Sequence, residues 1–186
     1  MHRLFVALRP PPDIRDALVD VMDELPGARW QDEEQLHVTL RFIGEVERPQ
    51  AEDIAAALGT VSAPVVEARV DGVGTFDRRG RVDTLWARIV PAEPLAALHR
   101  KVDQALARTG VARDERRYLP HLTLARFGRG SSDAGAIARW VADHAALTTA
   151  AFTLPHLILY ESHLGHEGAR YEPVVRWPLA PGVDAR

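Results

Sequence analysis

The chain has no cysteine, and Lys101 is the only lysine among its 23 basic residues. Without thiols it cannot form disulfides, thiolate nucleophiles, iron–sulfur clusters or Cys-based zinc sites. Any metal would have to be held by histidine and carboxylate alone. Long apolar runs are missing as well. Stretches such as Leu157-Ile158-Leu159-Tyr160 fall far short of the roughly 20 residues that span a bilayer. The run from Leu4 to Leu8 is too short for a signal-peptide core and ends on Arg9 and three prolines, so a cytoplasmic protein without membrane contact is expected. An excess of positive charge is absent too. The balance of 23 basic and 26 acidic residues gives a net charge of −3, so no bulk field attracts long nucleic acid, although a short nucleic-acid end in a local pocket stays open.

What is present describes a folded protein. Hydrophobic residues at 46% and charged residues at 26% exclude a disordered or fibrous chain. A length of 186 residues allows one domain or two small lobes. Apolar periodicity predicts strands at Arg3–Leu8, Leu36–Ile43 and Val65–Val73, with helices after Asp13 and over Gln50–Leu58. The pattern then starts again. Strands are predicted at Asp83–Val90, Leu119–Phe127 and Phe152–Tyr160, with helices through Leu95–Leu106 and Ser132–Ala145. The expectation is an α+β fold of duplicated β-α-β-α-β units, about 3–76 and 83–162, with a last strand at about 170–177. All of it forms a single bilobal domain over 1–186, its lobes facing each other across a cleft.

The strongest signal is a repeated tetrapeptide. His37-Val38-Thr39-Leu40 returns 84 residues later as His121-Leu122-Thr123-Leu124. With 8 His, 9 Thr and 20 Leu in the chain, random placement yields roughly 0.04 copies of His-x-Thr-Leu. On a strand, His37 and Thr39 share one face while Val38 and Leu40 take the other; the same holds for His121 and Thr123. Two imidazoles and two hydroxyls would therefore meet at one cleft. One neutral imidazole can take a proton from water while an imidazolium protonates a leaving oxygen. The hydroxyls can donate to non-bridging phosphate oxygens as charge builds there. That set fits metal-free phosphodiester chemistry, and a strained 2′,3′-cyclic phosphate suits it. No cofactor is expected, and two imidazoles without a matching carboxylate make a poor metal site.

These motifs, with the opening Arg3-Leu4-Phe5-Val6-Ala7-Leu8 and the closing Leu159-Tyr160-Glu161-Ser162-His163-Leu164 and Gly168-Ala169-Arg170-Tyr171, resemble the 2H phosphoesterase superfamily. Within it they look like the bacterial RNA 2′,3′-cyclic phosphodiesterases, also called 2′-5′ RNA ligases. The resemblance covers Arg3 to about Leu179. It implies two antiparallel sheets with flanking helices around a central cleft. It also implies hydrolysis of RNA 2′,3′-cyclic phosphate ends, or of nucleotides bearing that group, to 2′-phosphomonoesters. His37 then matches the proton donor to the 3′-oxygen and His121 the acceptor that activates water. Thr39 and Thr123 match the phosphate-binding threonines. Arg126 matches an arginine at the phosphate or base, and Phe5 an aromatic lying against the nucleobase, with core packing as its alternative.

By alternation from His121, Ala125 rather than Arg126 faces the cleft, so Arg126 needs a bulge to reach in. Arg41 lies on the His37 face by parity and competes as the phosphate-side cation. The clusters Arg78-Arg79-Gly80-Arg81 and Arg113…Arg116-Arg117 read first as solvated turns. At the cleft rim they could instead guide an RNA 3′ end. His163 and His166 read as surface residues. The chain is expected to act as a monomer. Other readings of the same residues are 2′-5′ RNA ligation as the reverse reaction, a nucleotide-binding module without turnover, and a metal-dependent phosphohydrolase.

Overall fold

Strand β1 (His2–Leu8) points Leu4, Val6 and Leu8 into the main core and Phe5 and Ala7 into a second, smaller apolar cluster. Both of its faces are covered, which is why it reads as a nearly continuous apolar run. A computed structural model describes residues 1–128, 130, 133–165 and 168–180. After β1 come α1 (Pro12–Val19), β2 (Ala28–Trp30), a 3₁₀ turn at Glu33–Gln35, β3 (Val38–Val46), α2 (Arg48–Leu58) and β4 (Val66–Arg78). Then follow β5 (Arg81–Val90), α3 (Ala92–Ala107), β6 (His121–Phe127), α4 (Ala134–Asp143), β7 (Phe152–Leu154), β8 (His156–Gly165) and β9 (Gly168–Pro178).

The result is α+β with antiparallel pairing between all named strands, as expected. The strands run β7-β4-β5-β6-β3-β1-β8-β9 in one sheet, with β2 added to β6. The two sheets implied by the resemblance are thus continuous, but only just. Their seam is the pairing of β3 with β6, and it consists of the single residue pair Val38↔Leu122.

Helix α3 buries Leu95, Leu98, Val102 and Leu106, the positions its period of about 3.6 residues selects. Each such side chain contributes about 1.5–3 kcal/mol of burial. Helices α1 to α3 and α4 place Ile14, Leu18, Ile54, Leu58, Leu98, Ile137 and Trp140 in the same cluster as Val38, Leu40, Leu122 and Leu124. The sheet face carrying the histidines is therefore the one away from this core.

Two local differences from the sequence pattern have clear causes. The predicted strand Phe152–Tyr160 is divided at Pro155, which cannot donate to a ladder. β7 pairs with β4 whereas β8 pairs with β1, so the chain changes half-sheet at that proline. The short β2 carries too few residues for an alternation to be visible.

Candidate active site

The four residues of the repeated motif gather around the seam. Val38 and Leu122 are wholly buried on the core side. Extending their register by one residue sets His37 opposite Thr123 and Thr39 opposite His121, all four on the other face. Directly opposed side chains lie about 5 Å apart at Cβ and diagonal ones about 7–8 Å. The two histidines occupy a diagonal, which leaves room for a phosphate between them.

Both imidazoles are held in the same way. His37 Nδ1 lies 2.6 Å from the carbonyl oxygen of Gln35, and His121 Nδ1 lies 2.7 Å from that of Leu119. A carbonyl only accepts, so in each neutral ring Nδ1 carries the proton and Nε2 keeps its lone pair. Gln35 is itself fixed by a capping box with Asp32 and by donation from its side chain to Ala169 O at 2.5 Å.

Aromatic rings surround both histidines. Phe5 stands 4.9 Å from His37 and Tyr171 5.2 Å, edge-on. Phe76 stands 4.9 Å from His121, edge-on, with Trp86 at 6.1 Å. Trp86 in turn lies across Gly74, where an added Cβ would come within 2.5 Å of its ring. This apolar packing lowers both histidine pKa values by desolvation, that of His37 to about 4, with the Arg126 charge as a further lowering cause in each.

Phe5 shows the core packing that was the alternative expectation for it. The residue is 4% exposed, its ring stacked on Tyr160 at 5.1 Å and nearly perpendicular to Tyr171 at 5.0 Å. It packs against His37 at 4.9 Å and is buried there.

Arg126 reaches the cleft through an irregularity in β6. The pairing steps from Leu85↔Ala125 to Trp86↔Thr123, skipping Leu124. That bulge reverses the alternation, so Leu124 and Ala125 are both buried and Arg126 is exposed, with its charge felt by His37, His121 and Tyr171.

β3 does the same at Leu40, where the pairing steps from Ala7↔Thr39 to Val6↔Arg41. Arg41 consequently turns away from His37. Its guanidinium donates to Asp103 at 3.0 Å, to Phe42 O at 2.7 Å and to Ala112 O, and also faces Asp114. It is a buried tie rather than a phosphate-side cation.

The residue that gains the cleft face is Phe42, which the sequence pattern does not single out. It is 43% exposed and lines a cavity of about 450 Å³ with Thr39, Phe76, Tyr118 and His121. One signal was available: Phe42 follows His37 by five residues, as Arg126 follows His121. The guanidinium of Arg3 sits 5.0 Å from its ring centre.

Neither Thr39 nor Thr123 uses its hydroxyl in a hydrogen bond among the described residues. Also among the described residues, no three His, Asp or Glu side chains gather as metal ligands. His163 pairs with Glu172 on the β8–β9 hairpin, and His166 lies outside the described residues. Among the described residues, no helix is long and apolar enough to cross a membrane.

Comparison with known proteins gives consistent matches. The family model of the 2′-5′ RNA ligase superfamily matches residues 10–166. The chain is 30% identical over 170 residues to the RNA 2′,3′-cyclic phosphodiesterase of Geobacillus stearothermophilus, covering 90% of this chain and 52% of that protein, so it spans about half of that relative. It is 28% identical over 185 residues to the RNA 2′,3′-cyclic phosphodiesterase of Escherichia coli, covering 96% of this chain and 97% of the other. The crystal structure of E. coli LigT in apo form superposes with a TM-score of 0.77 at 26% identity, over 96% of this chain and 98% of that one.

Proposed function

Since the chain belongs to the 2′-5′ RNA ligase superfamily, we propose that it hydrolyses 2′,3′-cyclic phosphate ends of RNA to 2′-phosphomonoesters without a metal. The observation that carries this reading is the pair of histidines with matched Nδ1 anchors, each presenting Nε2 beside a free threonine hydroxyl. His121 Nε2 takes a proton from water as its oxygen attacks phosphorus. The bond from phosphorus to the 3′-oxygen breaks, and protonated His37 gives its proton to that oxygen. Thr39, Thr123 and Arg126 hold the non-bridging oxygens, where charge accumulates in the transition state. Phe42 supplies an exposed ring for the base, the part expected of Phe5.

In the free protein His37 is neutral at pH 7, because its pKa lies near 4. It gains its proton with the substrate. A phosphate anion against Arg126 offsets the charge that depresses both rings, and its own charge favours an imidazolium.

This gives the pH dependence a definite sign. kcat/KM reports the free enzyme, so its bell should lie on the acid side, with both limbs below about pH 6.5 because both histidines start from that value and are lowered. The kcat bell reports the complex and should sit at higher pH. Arg126→Ala should move the kcat/KM limbs toward alkali. A kcat/KM limb above pH 7 in the unmodified protein would contradict the assignment.

The direct test is incubation of an oligonucleotide ending in a 2′,3′-cyclic phosphate, with excess EDTA, and identification of the product by phosphorus NMR. A 2′-phosphate formed at an undiminished rate is the expected outcome. A 3′-phosphate product overturns the assignment of the leaving oxygen. Activity lost to EDTA and restored by a divalent ion overturns the metal-free mechanism.

A further inference from the structure

A cavity of about 310 Å³ opens beside the histidine cleft, and five arginines line it: Arg29, Arg78, Arg79, Arg81 and Arg126. They converge from four strands and the β4–β5 turn. Arg29 on β2 and Thr84 on β5 flank Arg126 on β6 in register, while Arg78 and Arg81 face each other at the end of the β4–β5 hairpin.

This arrangement opposes folding in two respects. Like charges directly opposite one another on a sheet repel, and the cavity holds two pairs of that kind, Arg29 with Arg126 and Arg78 with Arg81. Arg79 adopts φ 54 and Gly80 φ 75, the turn geometry that ordinarily selects Asn, Asp or Gly. A long cationic side chain stands where the backbone favours a small one.

No ion pair relieves the repulsion among the described residues, where none of the five makes one within 4.0 Å. The one acidic residue lining the cavity, Asp83, accepts a hydrogen bond from Thr84 Oγ1 at 2.9 Å. In a chain whose net charge is −3, this concentration of unpaired guanidinium is local. Guanidinium groups match phosphate oxygens bidentately.

Arg126 joins the cavity to the histidines, since its charge acts on both. We propose that this arginine cavity holds the backbone phosphates of the nucleotides preceding the cyclic end, so that the substrate is an RNA oligonucleotide rather than a mononucleotide. The inference rests on the cyclic phosphodiesterase reading for its direction, because the reacting phosphate at the histidines leaves the rest of the strand to cross Arg126.

The test compares 2′,3′-cyclic AMP with a tetranucleotide ending in the same group, for the unmodified protein and for the triple variant Arg78→Ala, Arg79→Ala, Arg81→Ala. Three phosphates neutralised on a single strand give a log–log salt slope of about −2, or a loss of roughly 20-fold in kcat/KM between 50 and 200 mM salt. The tetranucleotide should show that slope and exceed the mononucleotide at least about 10-fold at low salt. The triple variant should lose both the advantage and the slope while hydrolysing 2′,3′-cyclic AMP normally.

Binding of a labelled 2′-phosphorylated tetranucleotide, followed by fluorescence anisotropy, reads the cavity without turnover. Equal efficiency on both substrates, or equal tetranucleotide binding by the triple variant and the unmodified protein, overturns the proposal. Arginine-dependent binding without hydrolysis of either cyclic substrate would leave the cavity assignment standing and remove the catalytic one.

Discussion

His37→Ala and His121→Ala are each expected to lower kcat on a 2′,3′-cyclic phosphate by about 10²–10⁴-fold, the contribution of one positioned acid or base. Each substitution deletes one arm of a coupled proton transfer, so the double variant should be little slower than the slower single one. Thr39→Val and Thr123→Val remove a hydrogen bond to developing charge but leave the proton path intact, and should cost about 10–10³-fold. Binding of a 2′-nucleotide product should survive in the histidine variants, because the threonines and Arg126 remain. Steady-state kinetics with a product-binding measurement separates the outcomes. Histidine variants with near-normal hydrolysis would end the acid–base reading. An unmodified protein that binds product yet never turns over would be a binding module.

Arg41→Met should be the most destabilising of the changes considered. The Arg41 side chain is 9% exposed and its partners Asp103 and Asp114 are 13% and 17% exposed. Removing one member of a buried ion pair strands the other charges and costs about 3–5 kcal/mol. For a chain of this size that is a fall in melting temperature of roughly 6–20 °C. Arg116 also holds Asp114 and keeps its carboxyl well below the usual range, which moderates the loss there but not at Asp103. Calorimetry measures the fall, and kcat/KM below the transition provides the contrast. A stable variant with collapsed kcat/KM would return Arg41 to the phosphate; an unstable one with near-normal kcat/KM confirms the tie between β3, α3 and the segment before β6.

Those two sets of residues illustrate what a sequence can disclose. Period-two alternation and a rare repeat were enough to bring His37, Thr39, His121 and Thr123 to one face. Helical spacing was enough to select the buried side of α3. Alternation carries no information about where it is interrupted, however. The bulges at Leu40 and Leu124 arise from pairing with β1 and β5, strands distant in sequence, and they decide that Arg126 and Phe42 face the cleft while Arg41 faces Asp103. The contacts of Arg41 with Asp103 and Ala112 lie 62 and 71 residues away, beyond any local pattern. Phe5 was visible as an apolar strand residue, but only the positions of Tyr160 and Tyr171 show that it sits in a buried aromatic cluster.

The one-pair seam between β3 and β6 also bears on mechanics. A join of a single rung is the line about which two half-sheets can tilt with the fewest backbone hydrogen bonds disturbed, and points on such an axis travel least. His37 and His121 each adjoin that rung, whereas the hairpin tip at Arg79 is far along a lever arm formed by β4 and β5. A tilt about that axis would therefore swing Arg78, Arg79 and Arg81 outward and leave the spacing between the two histidines almost unaltered.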